Sequence, residues 1–281
     1  MSPDPPTRPA DTNRSLAAET DPPPEELYLP SLDNGITHLE VTGSRSVPAL
    51  QAIVLDHLLL HEGPAFWADA MGHATTAALA RVAPSWRLLE RIHVARGFTP
   101  YQHHTLIADL SARINETLRE DPSAKPTLII APAIDAQYRD ADTLSEAQGE
   151  TLLARSLARL QQYADGYDVP VLVTTTEDGT LTETVRRAAA HELRCEETRL
   201  GPRFVGDEFE TLVYPAGDGY YQTTIAYWTQ ILGARAEQAG LEPSAGAVQS
   251  DGPRVGTGIS IEGTATPTSA SPLLDAWAGG R

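Results

Sequence analysis

The chain has little of what disulfide, metal-cluster and membrane proteins need. Its single cysteine, Cys195, excludes an internal disulfide and a site built from several thiolates. No segment approaches the roughly 20 consecutive apolar residues of a transmembrane helix, and the opening MSPDPPTRPADTN has no apolar signal core. Lysine is nearly missing too, since Lys125 is the only one. We therefore expect a cytoplasmic protein that does not associate with membranes.

Carboxylates dominate the charge of the chain. The sequence has 38 Asp and Glu residues against 21 Lys and Arg residues, which gives a formal net charge of −17. An acidic, lysine-poor chain rich in small residues is typical of a high-salt cytoplasm, where the Debye length is only about 3 Å and charge repulsion is screened. The net charge therefore says little about the partners of this protein.

Composition divides the chain into three segments. Residues 1–30 are rich in Pro, Asp and Glu, and residues 234–281 in small and polar residues, so both are predicted to be disordered tails. Residues 31–233 alternate apolar runs with helical patterns, which predicts an α/β fold with a mostly parallel sheet and helices on both faces. The predicted strands are Ile36–Val41, Ala65–Ala68, Arg91–Ala95, Thr127–Ala131 and Val169–Thr175. The predicted helices are Val47–His61, Pro100–Arg119 (capped by Thr99) and Leu144–Tyr163.

The last part of this core changes character. His191–Leu200, Phe209–Tyr214 and Tyr220–Trp228 have strand-like composition and are joined by GPRFVGD and PAGDG. Short strands that follow one another through turns favour antiparallel pairing. We therefore expect an antiparallel meander at the C-terminal edge of the sheet.

The segment ITHLEVTGSRSVPALQ has the order strand, turn and helix start, which is the setting of a phosphate-binding loop. Such a loop, G-x-x-x-x-G-K-[ST], neutralises phosphates with its lysine and holds Mg²⁺ with its hydroxyl. This chain lacks the second glycine, the lysine and the hydroxyl, so the segment predicts a nucleotide-hydrolysing core that has lost its chemistry. The residues in this degenerate frame are Gly43, Ser44, Arg45, Ser46, Pro48, Ala49 and Leu50.

Five stretches stand in order along the chain: LDNGITHLEVTG, FWADA, ERIHVARGFTPYQHHTLIADL, LIIAPAIDAQYRDADTLSEAQ and DVPVLVTTT. This ordered set, within Leu32–Leu232, resembles the RecA-like core of archaeal recombinases and their non-catalytic paralogues. The resemblance implies a RecA-like, P-loop-type fold and a salt-loving archaeon as the source.

The chain departs from this family at the positions that carry its chemistry. The resemblance places Ala49 and Leu50 at the P-loop lysine and hydroxyl. It places Met71, two residues after Asp69, at the glutamate that activates water. The metal-supporting aspartate and the polar sensor glutamine correspond to Pro132 and Thr176. Because phosphoryl transfer depends on positioning and charge neutralisation, these losses imply a pseudo-ATPase with no cofactor; weak ATP or ADP binding stays compatible with that expectation.

The resemblance and the lost chemistry together imply an inactive paralogue that acts as an accessory or regulatory partner in DNA recombination and repair. The expected partner is a protein, with a RadA-type recombinase as the first candidate. Arg96 and Arg139 are candidate interface residues, although both also fit ion pairs inside the core. Trp277, in the apolar segment Leu273–Trp277, is a candidate docking anchor; packing of that segment on its own core is the alternative.

Two other functions remain open at this point. The first is a nucleotide-binding switch in which backbone amides around Gly43–Ser46, at a helix N-terminus, bind phosphate without a lysine. The second is a DNA-binding protein that uses a C-terminal arginine cluster, although two of its members also fit a solvated helix face. The arginines of this cluster are Arg186, Arg187, Arg194, Arg199 and Arg203.

The histidines predict no metal site. His57 and His61 lie four residues apart on one helix face, and His103 and His104 are adjacent and so point in different directions. No recognised metal signature accompanies either pair, so helix-surface or helix-end positions are expected.

Two carboxylates and the cysteine have simple structural interpretations. Asp69 and Asp135 follow predicted strands and are expected to cap helices rather than bind a cation. Cys195 is expected to be a packed structural residue, because His191 on the same strand lies about 13 Å away by strand rise.

Overall fold

The computed structural model describes residues 29–42, 46–139, 141–198, 201–206 and 224–241. The predicted tails, apart from the residues at their inner ends, and the predicted strand Phe209–Tyr214 lie outside this range, as do Gly43, Ser44, Arg45, Arg199 and Trp277. The strands of the described residues are β1 (Gly35–Thr42), β2 (Ala65–Asp69), β3 (Ile92–Arg96), β4 (Leu128–Ala131), β5 (Pro170–Val173), β6 (His191–Thr198) and β7 (Gly201–Gly206). The helices are α1 (Ser46–Leu60), α2 (Thr76–Val82), α3 (Trp86–Glu90), α4 (Pro100–Glu120), α5 (Glu146–Tyr167), α6 (Thr180–Ala188) and α7 (Thr224–Gln238).

The strands form one sheet in the order β3-β2-β4-β5-β1-β6-β7. All neighbours pair in parallel except β6 and β7, which pair antiparallel with Leu193 opposite Gly206 and Thr198 opposite Gly201. The described residues therefore confirm the predicted α/β class with a mostly parallel sheet. The parallel strands β1–β6 end at one edge of the sheet, which is called the carboxyl edge below.

Helices cover both faces of the sheet. Trp67 packs with α1, α2, α3 and α7 on one face, while the preceding residue, Phe66, packs with α4, α5 and α6 on the other. Successive side chains of a strand point to opposite faces, so a continuous apolar run supplies both cores. Both rings are almost completely buried, and each contributes at most about 5 kcal/mol of transfer free energy.

Local sequence signals set the ends of the two long helices. α4 begins as predicted, with Thr99 Oγ1 accepting a hydrogen bond from the Gln102 amide at 3.3 Å and with proline at the first helical position. α5 begins with a capping box, in which Ser145 and Gln148 satisfy each other's backbone amides. Among the helices described here, none is long and apolar enough to span a membrane.

The C-terminal part of the core differs from the prediction. GPRFVGD, expected to be a connection, contains strand β7. The expected strand Tyr220–Trp228 lies instead in helix α7 from Thr224 onward, and its first four residues are outside the described residues. Trp228, Ile231 and Leu232 are buried at helical spacing, so α7 buries one face against α1 and α2. Aromatic and β-branched composition favoured a strand, and tertiary packing overrode it. α7 also runs past residue 233, the predicted end of the core.

Candidate functional site

The candidate site is the carboxyl edge, because open parallel sheets bind their ligands outside the carboxyl ends of their strands. β2 ends at Asp69 and β3 at Arg96, and these two residues are register partners on neighbouring strands. β4 leads into Asp135, and β5 leads into Thr176. The fold thus brings together residues that are far apart in sequence.

Asp69 is buried and holds the connection between β2 and α2. One of its carboxylate oxygens, Oδ1, accepts a hydrogen bond from the His73 amide at 2.9 Å. The other, Oδ2, accepts from the Ala74 amide at 3.3 Å and from Arg96 Nε at 3.0 Å. Arg96 also donates from Nη2 to the Ala74 carbonyl at 3.0 Å. The ion pair therefore closes the connection onto the end of β3, as the alternative interpretation of Arg96 expects.

Two glutamines hold the same connection from its other sides. Gln51, buried on α1, donates to the carbonyl of His73 at 2.9 Å. Gln137, from the connection after β4, donates to the carbonyl of Ala70 at 2.8 Å. The backbone that follows β2 is thus bonded to α1, to β3 and to the β4–α5 connection.

Asp135 is buried and joins the ends of β4 and β5. Its Oδ1 accepts a hydrogen bond from the Thr176 amide at 2.9 Å, and its Oδ2 accepts one from the Thr176 hydroxyl at 2.9 Å. Oδ2 also accepts a hydrogen bond from Arg139 Nε at 2.5 Å. Arg139 Nη2 also donates hydrogen bonds to the Thr182 hydroxyl, at 2.9 Å, and to the Glu177 carbonyl. Arg139 is therefore an internally paired residue, with 18% of its side chain exposed.

All four oxygens of these two carboxylates accept a hydrogen bond from the protein itself. They were expected to cap helices, and they instead bond arginines and the amides of connections near the strand ends. Charge-assisted bonds of this kind hold irregular backbone in place. At this edge each of the two acids is therefore a structural clamp, by which we mean a buried carboxylate that bonds donors from neighbouring strand ends and connections.

The positions matched to catalytic residues lack acid–base or metal-binding groups free for chemistry. Met71 is 57% exposed and has no titratable group. Pro132, directly after β4, offers no carboxylate. Thr176 bonds Asp135 through both its amide and its hydroxyl. None of these three side chains is placed to activate water.

The start of α1 places in the core two of the positions that the resemblance matches to a P-loop. Pro48 lies in the first turn of α1, which begins at Ser46. Ala49 and Leu50, in the frame of the lysine and the hydroxyl, are both buried. Side chains at these two positions therefore point into the protein.

A buried polar network that sequence analysis did not predict joins α4, α5 and the β4–α5 connection. His103 Nδ1 lies 3.1 Å from the Tyr138 hydroxyl, which lies 3.0 Å from Ser156 Oγ. His104 Nδ1 approaches the same Ser156 Oγ at 3.0 Å. Burial lowers the pKa of His103 to about 4 and raises the pKa of Tyr138 to about 12. Both groups are therefore neutral at neutral pH, and the network joins these three elements through hydrogen bonds within the protein.

The other histidine pair also has a structural role. The rings of His57 and His61 stack with centroids 4.1 Å apart. His57 Nε2 lies 2.9 Å from the Thr127 carbonyl oxygen, and burial lowers the pKa of His57 to about 4. Among the described residues, no group of three or more His, Cys, Asp or Glu side chains is arranged to hold a metal ion. Cys195 is buried on β6, in the core that faces α1 and α7.

The candidate DNA-binding arginines are partly assembled by the fold, but carboxylates surround them. Arg186 pairs with Glu183 at 2.7 Å and with Asp178 at 3.3 Å. Arg186 and Arg194 also share Glu40, each at 3.6 Å. Arg187 is exposed on α6, and Arg203 lies on β7. These carboxylates compete with phosphate for Arg186 and Arg194.

A cavity of about 420 Å³ opens beside the clamp formed by Asp135. Tyr138, Arg139 and Leu144 line one side of it, and Thr180, at the start of α6, lines the other. Its volume is within the range of small-molecule sites. Arg139 already donates hydrogen bonds from Nε and Nη2 to three protein groups.

Large apolar side chains are exposed next to the carboxyl edge, and sequence analysis did not predict this exposure. Met71 follows β2, Phe98 follows β3, and Tyr101 lies in the first turn of α4. Their exposed fractions are 57%, 76% and 53%. These three residues are called the edge patch below.

Comparison with known proteins adds no family assignment. No protein-family model matches the chain, and no curated protein matches its sequence. The functional interpretation therefore depends on the geometry of the carboxyl edge, where buried carboxylates are bonded internally and apolar side chains are exposed beside them.

Proposed function

We propose that this chain is a catalytically inactive, RecA-like accessory protein in DNA recombination and repair, and that its partner is an archaeal recombinase. The observation that carries the proposal is the internal bonding of Asp69 and Asp135. A carboxylate that activates water or holds a hydrated cation needs an oxygen directed at that water or ion. Here each oxygen is directed at a donor of the protein itself.

The fold is compatible with the RecA-like core that the resemblance implies. The sheet is mostly parallel, the strand β1 leads through residues 43–45 into α1, and the strand beyond β6 is antiparallel. Fold alone does not establish function. It is the combination of this fold with the buried Ala49 and Leu50 that favours a protein without phosphoryl-transfer activity.

The edge patch supports a role in protein contact. Contiguous exposed apolar surface on a monomer often marks an interaction site. In an accessory protein that no longer closes over a nucleotide, the carboxyl edge is free to meet the surface of an active relative. Three exposed side chains make only a small contact, which fits a transient partner rather than a permanent one.

The two alternatives receive less support. The nucleotide-binding switch depends on amides at Gly43–Ser46, most of which lie outside the described residues. The DNA-binding function requires cations that are free to meet phosphate, whereas Arg186 and Arg194 are paired with carboxylates. A strong salt dependence of DNA affinity would favour the DNA-binding function.

The first test is ATP binding and hydrolysis by the purified chain in molar KCl with Mg²⁺, alone and with an archaeal recombinase. We expect no turnover by the chain alone and a changed ATPase rate of the recombinase when the chain is added. Turnover by the chain alone, or tight ATP binding that Gly43→Pro abolishes, would contradict the proposal.

Two variants make the recombinase assay specific to the carboxyl edge. Phe98→Ser removes the most exposed member of the edge patch, and Trp86→Ser removes another exposed aromatic residue, on α3, ahead of the amino end of β3. Neither ring contributes much to the core, so both variants should fold. We expect Phe98→Ser to weaken the effect on the recombinase and Trp86→Ser to leave it unchanged.

A further inference from the structure

The three residues of the edge patch lie on neighbouring elements of the fold. Asp69 and Arg96 are register partners and are joined by an ion pair of 3.0 Å. Met71 and Phe98 each lie two residues beyond one of these partners, and the Phe98 amide donates to Gln102 Oε1 at 3.1 Å. This bond holds Phe98 against the first turn of α4, where Tyr101 lies. The edge patch therefore joins two adjoining strand ends, those of β2 and β3, to the first turn of α4.

The size of the edge patch limits what can cover it. With about 200 Å² for each complete side chain, the exposed fractions of the three residues correspond to roughly 400 Å². A stable interface between two proteins buries about 800 Å² on each partner. The edge patch alone is therefore too small for a stable dimer of two copies, but it suits a short segment with two or three apolar anchors.

The sequence contains one such segment beyond α7. Leu273, Leu274 and Trp277 fall within five residues, and Leu273 and Trp277 have the i, i+4 spacing of one helix face. The rest of residues 242–281 is dominated by Gly, Ala, Ser, Thr and Pro. This segment, LLDAW, is thus the largest concentration of apolar side chains in that part of the sequence.

Chain length allows the segment to reach the edge patch. About 30 residues separate Leu241 from Leu273, and a Gly- and Ser-rich connection of that length spans roughly 30 Å on average. A folded core of about 200 residues has a radius of gyration of only about 16 Å. Tethering through such a connection gives an effective concentration in the millimolar range, which lets a weak contact form within one molecule.

Charge also favours this occupant. The whole chain carries a formal charge of −17, but residues 242–281 contribute only four carboxylates and two arginines. One of those carboxylates, Asp275, lies between the apolar anchors. Because Arg96 is paired with Asp69, these two residues together add no net charge beside the edge patch. A nearly neutral segment is therefore suited to this surface of an otherwise acidic protein.

We infer that the segment Leu273–Trp277 docks on the edge patch of its own chain. The apolar side chains of the segment cover Met71, Phe98 and Tyr101. The contact is intramolecular and reversible, and it competes with any partner protein that uses the same surface. The inference concerns the chain alone and does not depend on the accessory role.

Hydrogen exchange of the full chain in molar KCl tests this inference. A millimolar effective concentration is about ten times a contact Kd of about 0.1 mM. The backbone amides of residues 273–277 should therefore exchange roughly tenfold more slowly in the wild-type chain than in Phe98→Ser. Trp86→Ser is the matched control and should keep the protection. In the reverse direction, Leu274→Ser with Trp277→Ser should speed the exchange of the exposed loop amides near Met71 and Phe98.

A second control lies in the same part of the sequence. Val255→Ser with Ile259→Ser removes two apolar side chains and should leave the exchange near Met71 and Phe98 unchanged. Protection at low and high protein concentration alike supports docking within one chain. Protection that grows with protein concentration would assign the edge patch to a second copy and overturn the inference. Exchange rates within twofold of one another in wild type and Phe98→Ser would also overturn it.

No recombinase is present in this experiment, so its failure leaves the accessory role untouched. Equally, a recombinase that ignores the chain would not affect the exchange result.

Discussion

Replacement of Asp135 by asparagine separates a structural acid from a catalytic one. Asp135 is completely buried, and its two oxygens accept three hydrogen bonds, from Arg139 and from the amide and hydroxyl of Thr176. Asparagine keeps the shape but removes the charge and turns one acceptor into a donor. Whichever way the amide turns, its NH₂ group faces a donor. The change therefore breaks an ion pair and at least one further bond.

The expected loss of stability is about 3 kcal/mol. Breaking a buried ion pair by removing one partner typically costs about 3–5 kcal/mol, and a hydrogen bond to a charged group contributes about 1.5–3 kcal/mol. The lower end applies because Arg139 is 18% exposed and retains the Thr182 hydroxyl and the Glu177 carbonyl as acceptors. A catalytic acid gives the opposite expectation, since its removal often leaves stability unchanged or raises it.

Urea unfolding in molar KCl, followed by circular dichroism, measures this difference. With a slope of about 2 kcal/mol per M of urea, Asp135→Asn should lower the unfolding midpoint by roughly 1.5 M. Asp142→Asn makes the same chemical change at an exposed position of the following connection and should shift stability by less than about 0.5 kcal/mol. If Asp135→Asn and Asp142→Asn unfold within about 1 kcal/mol of each other, the clamp role of Asp135 is wrong.

Three other changes test the packing around the site. Gly97→Ala would place a Cβ atom 2.5 Å from the backbone Cα of His103 and should cost more than about 3 kcal/mol of stability. Gly166 lies on α5, and a Cβ atom added there would meet nothing within 4 Å beyond the backbone of its own helix. Gly166→Ala should therefore stabilise the protein by up to about 1 kcal/mol in thermal melts. Tyr138→Phe leaves His103 Nδ1 without its hydroxyl partner and should cost about 2 kcal/mol by urea unfolding. Because burial lowers the pKa of His57 from 6.5 to about 4, the unfolded chain takes up the proton first on acidification. The contribution of neutral His57 to the free energy of unfolding is fully present above pH 6.5 and should fall by up to about 3 kcal/mol as the pH drops to 4. His57→Gln should make the free energy of unfolding depend less on pH in this range. An unchanged pH dependence would contradict the burial effect.

Much of the fold follows from local sequence patterns. The apolar runs that predicted the first five strands correspond to β1–β5, and the Thr99 cap with Pro100 correctly placed the start of α4. These features depend on side-chain alternation and on capping by neighbouring residues, which the sequence states directly. The strand predicted at Tyr220–Trp228 is wrong where it overlaps α7, because its residues suit either element and only packing against α1 and α2 decides between them.

The candidate site shows the same division. The sequence alone predicted that the lysine, hydroxyl and general base of a phosphate-hydrolysing site are missing, because those residue types do not occur at the positions that the chemistry needs. The pairing of Arg96 with Asp69 and of Arg139 with Asp135 was open in the sequence and is decided by the structure.

The sequence by itself determined the α/β class, most strand positions and the positions of α1, α4 and α5; the loss of P-loop chemistry stays a prediction. Tertiary structure alone decided that Asp135 bonds Thr176, 41 residues away, that His103 and Ser156 meet at Tyr138, and that Phe98 is left exposed. The physical reason is the range of the interactions. Periodicity and capping act between near neighbours, whereas the order of strands in a parallel sheet determines which distant side chains share an edge.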